Sequence, residues 1–272
     1  MRMPNTETNF TTYTSCPKCT HAPLPVDQSS PAACPACGLI LAKYATTISR
    51  NSKLSPNETD DDEAEENQGY LRQWLQNIVD AACHVPERVD PAMFWPRVAL
   101  LVFFAAWGLH LIWMDFRTGE MGGSFLHGPL LVFHEAGHVI FSLFGQFITI
   151  LGGTLGQLVM PAILCGAMLM TNRDPFGAAI GLWLFGASLL DVAPYVYDAL
   201  QPQLVLLGGH TGEEGGHDWI YLLSETGLLK HAQGLGWFTH KLGAFVILVS
   251  LYWAAWILQR QHARLGTTLD ET

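Results

Sequence analysis

Phe133-His134-Glu135-Ala136-Gly137-His138 sets two histidines four residues apart, with a glutamate directly after the first. On a helix, positions i and i+4 share one face a turn apart, so both imidazoles can reach one zinc ion. Glu135, one position on, reaches water at the metal's open position and serves as general base. Zinc brings the pKa of that water towards neutrality and polarises a carbonyl, so the chemistry expected of the trio is hydrolysis of a peptide or amide. A second set, Cys16-Pro17-Lys18-Cys19 and Cys34-Pro35-Ala36-Cys37, has the spacing C-x2-C-x14-C-x2-C. Each turn aims two thiolates at one centre, and two turns complete a closed tetrahedral zinc site, structural rather than catalytic. The alternative for these cysteines is two disulfides in an oxidising compartment.

The histidine pair needs a third protein ligand, and two candidates stand out. Asp191, in Leu189-Leu190-Asp191-Val192-Ala193-Pro194, lies inside an apolar stretch expected to run parallel to the one that holds His134. Their offset along the two helices is about 6 Å at 1.5 Å per residue, which tilt absorbs. His217, in Gly215-Gly216-His217-Asp218-Trp219, sits on a glycine-rich loop that can fold back, with the next residue as its orienting partner. That loop follows the far end of the fourth stretch, so position favours Asp191 over His217. Gln157, four residues before Pro161, is a candidate for lining a substrate groove. Without a metal, the same groups are buried polar residues bonded to neighbouring helices, and His210 and His217 belong to a solvated loop.

Composition sets the medium in which this chemistry works. Only 14% of the 272 residues are charged and 49% are hydrophobic, with 9 Trp and 14 Phe. A soluble domain carries about 25% charge, so an ordinary soluble enzyme and a disordered chain are both excluded. The net charge of -10 argues against nucleic acid as a partner. Much of that charge lies in one run, Glu58 to Glu66. Five apolar stretches, roughly 96–114, 127–149, 156–171, 176–198 and 242–258, approach the 17–25 residues that cross about 30 Å of hydrocarbon. The third is short and holds Pro161, consistent with tilt, a kink or re-entry. An ionised glutamate and two imidazoles inside such a stretch cost several kcal/mol unless paired or metal-bound.

The fold expected is therefore mainly α: a multi-pass helical membrane protein of about five spans with a small N-terminal β zinc ribbon. Residues 1–44 form the ribbon, and its first fifteen lack the pattern of a cleaved signal peptide. Residues 45–69 read as an acidic disordered linker. Over 70–95, Leu71, Trp74, Leu75, Ile78, Val79 and Ala82 make one stripe of an amphipathic helix, at the membrane interface or packed on the body. The membrane domain runs over 96–258 with a polar loop at 199–241, and 259–272 is a tail. Across five spans the positive-inside count ties at four each: Arg88, Arg97, Lys230 and Lys241 against Arg117, Arg173, Arg260 and Arg264. Thiols that hold metal must stay reduced, which favours a cytoplasmic N-terminus.

An HExxH on one apolar helix, a further helix, then an aspartate on a third resembles the site-2 protease family of intramembrane zinc proteases. The resemblance covers about 127–198. It implies that His134 and His138 bind zinc, that Glu135 is catalytic, and that Asp191 answers to the ligand of the family's LDG motif. Val192 stands where that motif has glycine, and no stretch reads as a PDZ domain. The two C-P-x-C turns resemble the knuckles of zinc ribbons, and a ribbon ahead of such a core resembles a bacterial arrangement, which implies an inner membrane. Together these readings give a zinc metalloprotease with one catalytic and one structural Zn2+, acting on membrane-protein or peptide substrates in the lipid bilayer. Its ribbon would bind a protein partner. The alternative of another class is a non-catalytic membrane scaffold whose ribbon recruits that partner.

Overall fold

The structure is a computed structural model and describes residues 13–26, 28, 32–41, 59–87 and 89–265. The chain divides into two compact units, Met1–Trp74 and Leu75–Thr272. In the first, two equivalent turns frame the cysteines. Thr20 N donates to Cys16 O and Gly38 N to Cys34 O, both at 2.9 Å, and the residues closing the turns, Thr20 and Gly38, have φ of 60° and 72°. An isolated bridge joins Ala33 and Ile40, but no β-strand forms among the described residues, so the two turns stand without the expected sheet. The expected linker falls partly outside the described residues. Its end is helical instead: α1, Thr59–Ala82, begins within the acidic run. The amphipathic stripe of α1 stands exposed, with Leu71, Trp74, Leu75 and Val79 each more than half accessible.

The second unit is a helical bundle. Asp90 caps α2 (Pro91–Trp113) by accepting from Ala92 N at 2.8 Å, with proline at the first position, where its missing N–H costs nothing. After two 3-10 turns between Phe116 and Gly123 come α3 (His127–Phe141), α4 (Gln146–Met170), α5 (Pro175–Asp198), α6 (Asp218–Glu225) and α7 (Ala232–His262). Among the described residues four helical segments are long and apolar enough to cross a membrane: α2, α4, α5, and α7 with the turn before it. The five expected spans thus become four.

The missing crossing is the helix that carries HEAGH. At 15 residues α3 is about 22 Å long, short of the hydrocarbon thickness. Ser142 Oγ bonds back to Val139 O at 2.8 Å, and Gly145 adopts φ 88°, ψ 164°, a conformation closed to residues with a Cβ. The chain reverses there, and α4 runs on through Pro161 to Met170 as one helix of 25 residues. The hairpin is tight: a Cβ on Gly137 would lie 2.0 Å from Gly152 O. Central α5 also crosses α7 closely, and a Cβ on Gly186 would lie 2.9 Å from the Gly243 carbonyl. Beside that crossing Leu111, Met121, Leu126, Leu130, Trp183, Leu190 and Ile247 form one core.

Candidate metal centre

The α3–α4 hairpin brings His134 and His138 together as the i, i+4 spacing requires, with ring centroids 4.9 Å apart. Each imidazole is fixed through its Nδ1. His138 Nδ1 lies 2.9 Å from Thr149 O, a carbonyl that only accepts, so Nδ1 carries the proton and Nε2 offers its lone pair. His134 Nδ1 lies 3.3 Å from Gln157 Oε1, and Gln157 Nε2 donates to Asp191 Oδ2 at 2.7 Å. An ionised carboxylate only accepts, which orients the Gln157 amide and again puts the proton on Nδ1 of the histidine. Both Nε2 atoms therefore face inward, ready for a metal.

What they face is Asp218. Its Oδ2 lies 2.9 Å from His134 Nε2 and 3.2 Å from His138 Nε2. A regular tetrahedron with metal–ligand distances of about 2.0 Å has edges of about 3.3 Å. The three groups offer one atom each, mutually within 4.8 Å, and can hold a metal ion. The backbone leaves room beneath them: a Cβ on Gly153 would lie 2.5 Å from both Nε2 atoms, in the space an ion needs. Asp218 is the first residue of α6, a favourable place for a carboxylate. Its backbone N donates to the Tyr195 hydroxyl at 2.9 Å. Glu135, exposed, lines the same cavity of about 720 Å³.

The two residues expected to supply the third ligand lie elsewhere. Asp191 is buried against His127 Nδ1, at 2.8 Å, and Gln157, so it acts on His134 through the amide. That contact with Asp191 holds the His127 imidazole above its ordinary pKa, against the pull of burial. His217 caps α6, accepting from Ile220 N through Nδ1 at 3.3 Å. Its Nε2 points to Asp198, 3.3 Å from Oδ2, while Oδ1 of Asp198 accepts from Gln203 N and Leu204 N. Gln157 reaches the cavity, but both ends of its amide are engaged by His134 and Asp191 rather than left for a substrate. The residue missed from sequence is Asp218. Its signal was the His-Asp pair after two glycines, in which the histidine took the attention.

In the N-terminal unit, Cys16, Cys19, Cys34 and Cys37 form a second group that can hold a metal. Cys16 Sγ lies 3.6 Å from Cys37 Sγ, and Cys19 Sγ 3.7 Å from Cys34 Sγ. All four thiols are free, and these distances are near the roughly 3.8 Å edge of a tetrahedron with 2.3 Å metal–sulfur bonds. Burial opposes ionisation of Cys16, yet the backbone N–H groups of Cys19 and Lys18 outweigh it and bring the thiol down to about 6. Cys83 and Cys165 are free thiols apart from both groups. No family model, curated protein or solved structure matches the chain.

Proposed function

We propose that the protein is a membrane-embedded zinc hydrolase that cleaves peptide bonds of membrane proteins. The observation that carries this reading is the single Asp218 oxygen set against two preoriented Nε2 atoms, with Glu135 in the same cavity. His134, His138 and Asp218 would hold the ion, which, when bound, supplies a water of lowered pKa and a polarised substrate carbonyl. Glu135 takes the proton of the attacking water and passes it to the leaving amine as the C–N bond breaks. Gln157 and Thr149 keep the imidazoles in the tautomer that binds. The cysteine group is read as a structural zinc ribbon that recruits a substrate or partner, on the cytoplasmic side of a bacterial inner membrane.

The test uses zinc-loaded protein in detergent and a library of single-span membrane peptides, with cut positions read by mass spectrometry. Glu135→Gln should keep two zinc ions per chain and lose about 10²–10⁴-fold in rate, the contribution of a positioned general base. Equal cutting by both forms refutes the hydrolase. Cutting by neither moves the protein to the scaffold class.

A further inference from the structure

The cavity described above has a side, and the topology of the second unit gives it. At one end of the bundle Phe94 of α2, Phe176 of α5 and Leu258 of α7 share a core, and Arg97 meets Asp174 at 3.2 Å. At the other end Phe116, just past α2, packs on Tyr197 of α5 and Trp237 of α7, with ring centroids 5.5 and 5.2 Å away. Helix α3 crosses neither way. Leu126 and Leu130 at its start pack beside Trp183 and Ile247, well inside α5 and α7, and its end returns to the start of α4 through His138 and Thr149. Connections 114–126 and 199–231 thus both belong to the Phe116 end.

Removing α3 from the crossings changes the charge count. Every residue after it changes sides, so Arg173, Arg260 and Arg264 join Arg88 and Arg97, leaving Arg117 with Lys230 and Lys241. The four-against-four tie becomes five against three, and the positive-inside rule puts the arginine end in the cytoplasm. The cavity opens the other way. Its rim comes from the Phe116 end, with Thr118, Gly119, Val205 and Gly216, while Asp191 and Gln157 line it deeper in the bundle. Asp191 lies past the middle of α5, seven residues or about 10 Å before its end, so the site is displaced from mid-helix toward the Phe116 end.

We infer that the metal centre works at the non-cytoplasmic face, on membrane-protein segments that leave the bilayer on that side. That such segments are acted on rests on the proposed hydrolase, but the sidedness does not depend on it. The experiment labels intact and lysed bacterial cells that express the full chain with a membrane-impermeant maleimide, and locates the label by peptide mass spectrometry. Cys83 is exposed at the arginine end, and Glu213→Cys puts a thiol on an exposed position of connection 199–231. Position 213 should label in intact cells, and Cys83 only after lysis. The reverse pattern overturns the sidedness and leaves the hydrolase to the Glu135→Gln test. Labelling of both in intact cells overturns the four-crossing arrangement on which the inference stands.

Discussion

Asp191→Asn and Asp218→Asn are near-isosteric changes that separate a metal ligand from a residue that orients one. Asp218 meets both Nε2 atoms directly, so on the proposed zinc reading its loss should remove an anionic ligand and the second zinc with it. Asp191 meets neither. Its part is to accept from Gln157 Nε2 at 2.7 Å, which leaves Oε1 of that amide for His134 Nδ1. Asparagine at 191 both donates and accepts, so the Gln157 amide can turn over and donate to Nδ1 instead. The His134 proton then moves to Nε2, the atom the metal requires. Partners of this kind are worth 10–100-fold in metal affinity, or about 1.4–2.7 kcal/mol. Zinc per chain is measured on detergent-purified protein equilibrated against a graded series of chelator. Asp191→Asn should retain two zinc ions at low chelator and shift one of them 10–100-fold, whereas Asp218→Asn should hold only one throughout. If Asp191→Asn strips the second zinc and Asp218→Asn keeps it, the two roles are exchanged and the reasoning from the shared oxygen fails.

Two further perturbations test the surroundings. Gly153→Ala puts a methyl 2.5 Å from both Nε2 atoms and should abolish the second zinc with every ligand intact, while Gly166→Ala, whose Cβ meets nothing within 4 Å, should leave the zinc content unchanged. Cys34→Ser removes one of four sulfurs from the N-terminal group and should lower zinc from two per chain to one while Glu135-dependent hydrolysis of short peptides persists. Loss of both ions at once would show that the two centres do not load independently.

Much of this was legible where the determinants are local. The His134–His138 spacing fixed a shared helical face and the C-P-x-C pairs placed the two cysteine turns, whereas α2 starts at Pro91, five residues before the expected span. The break within 127–149 was not legible, because apolar residues continue through Phe144 and Phe147 and the reversal rests on one glycine, Gly145, and a short hydrogen-bonded turn. Hydropathy measures length of apolar chain and is blind to a reversal inside it. The third group was hidden for a different reason. Whether Asp191, His217 or Asp218 meets the histidines depends on how a long connection folds back over α5, which no local pattern encodes. In the structure His217 caps α6, while Asp218, expected beside it as its partner, meets His134 and His138.

The double tether of Asp198 and Tyr195 has a consequence for how freely the cavity's rim can vary. Asp198 holds the beginning of the connection at Gln203 and Leu204 and approaches its end at His217, while Tyr195 holds the Asp218 amide. The stretch from Val205 to Gly216 is therefore a hoop closed at its base, with Asp218 seated outside it. Three of its glycines have positive φ, Gly209 in the middle and Gly215 and Gly216 at the foot beside His217. Exchanges at its exposed positions, such as Val205 and Leu207, leave these base contacts and the seat of Asp218 untouched, whereas a side chain at Gly212 would run into the His217 ring.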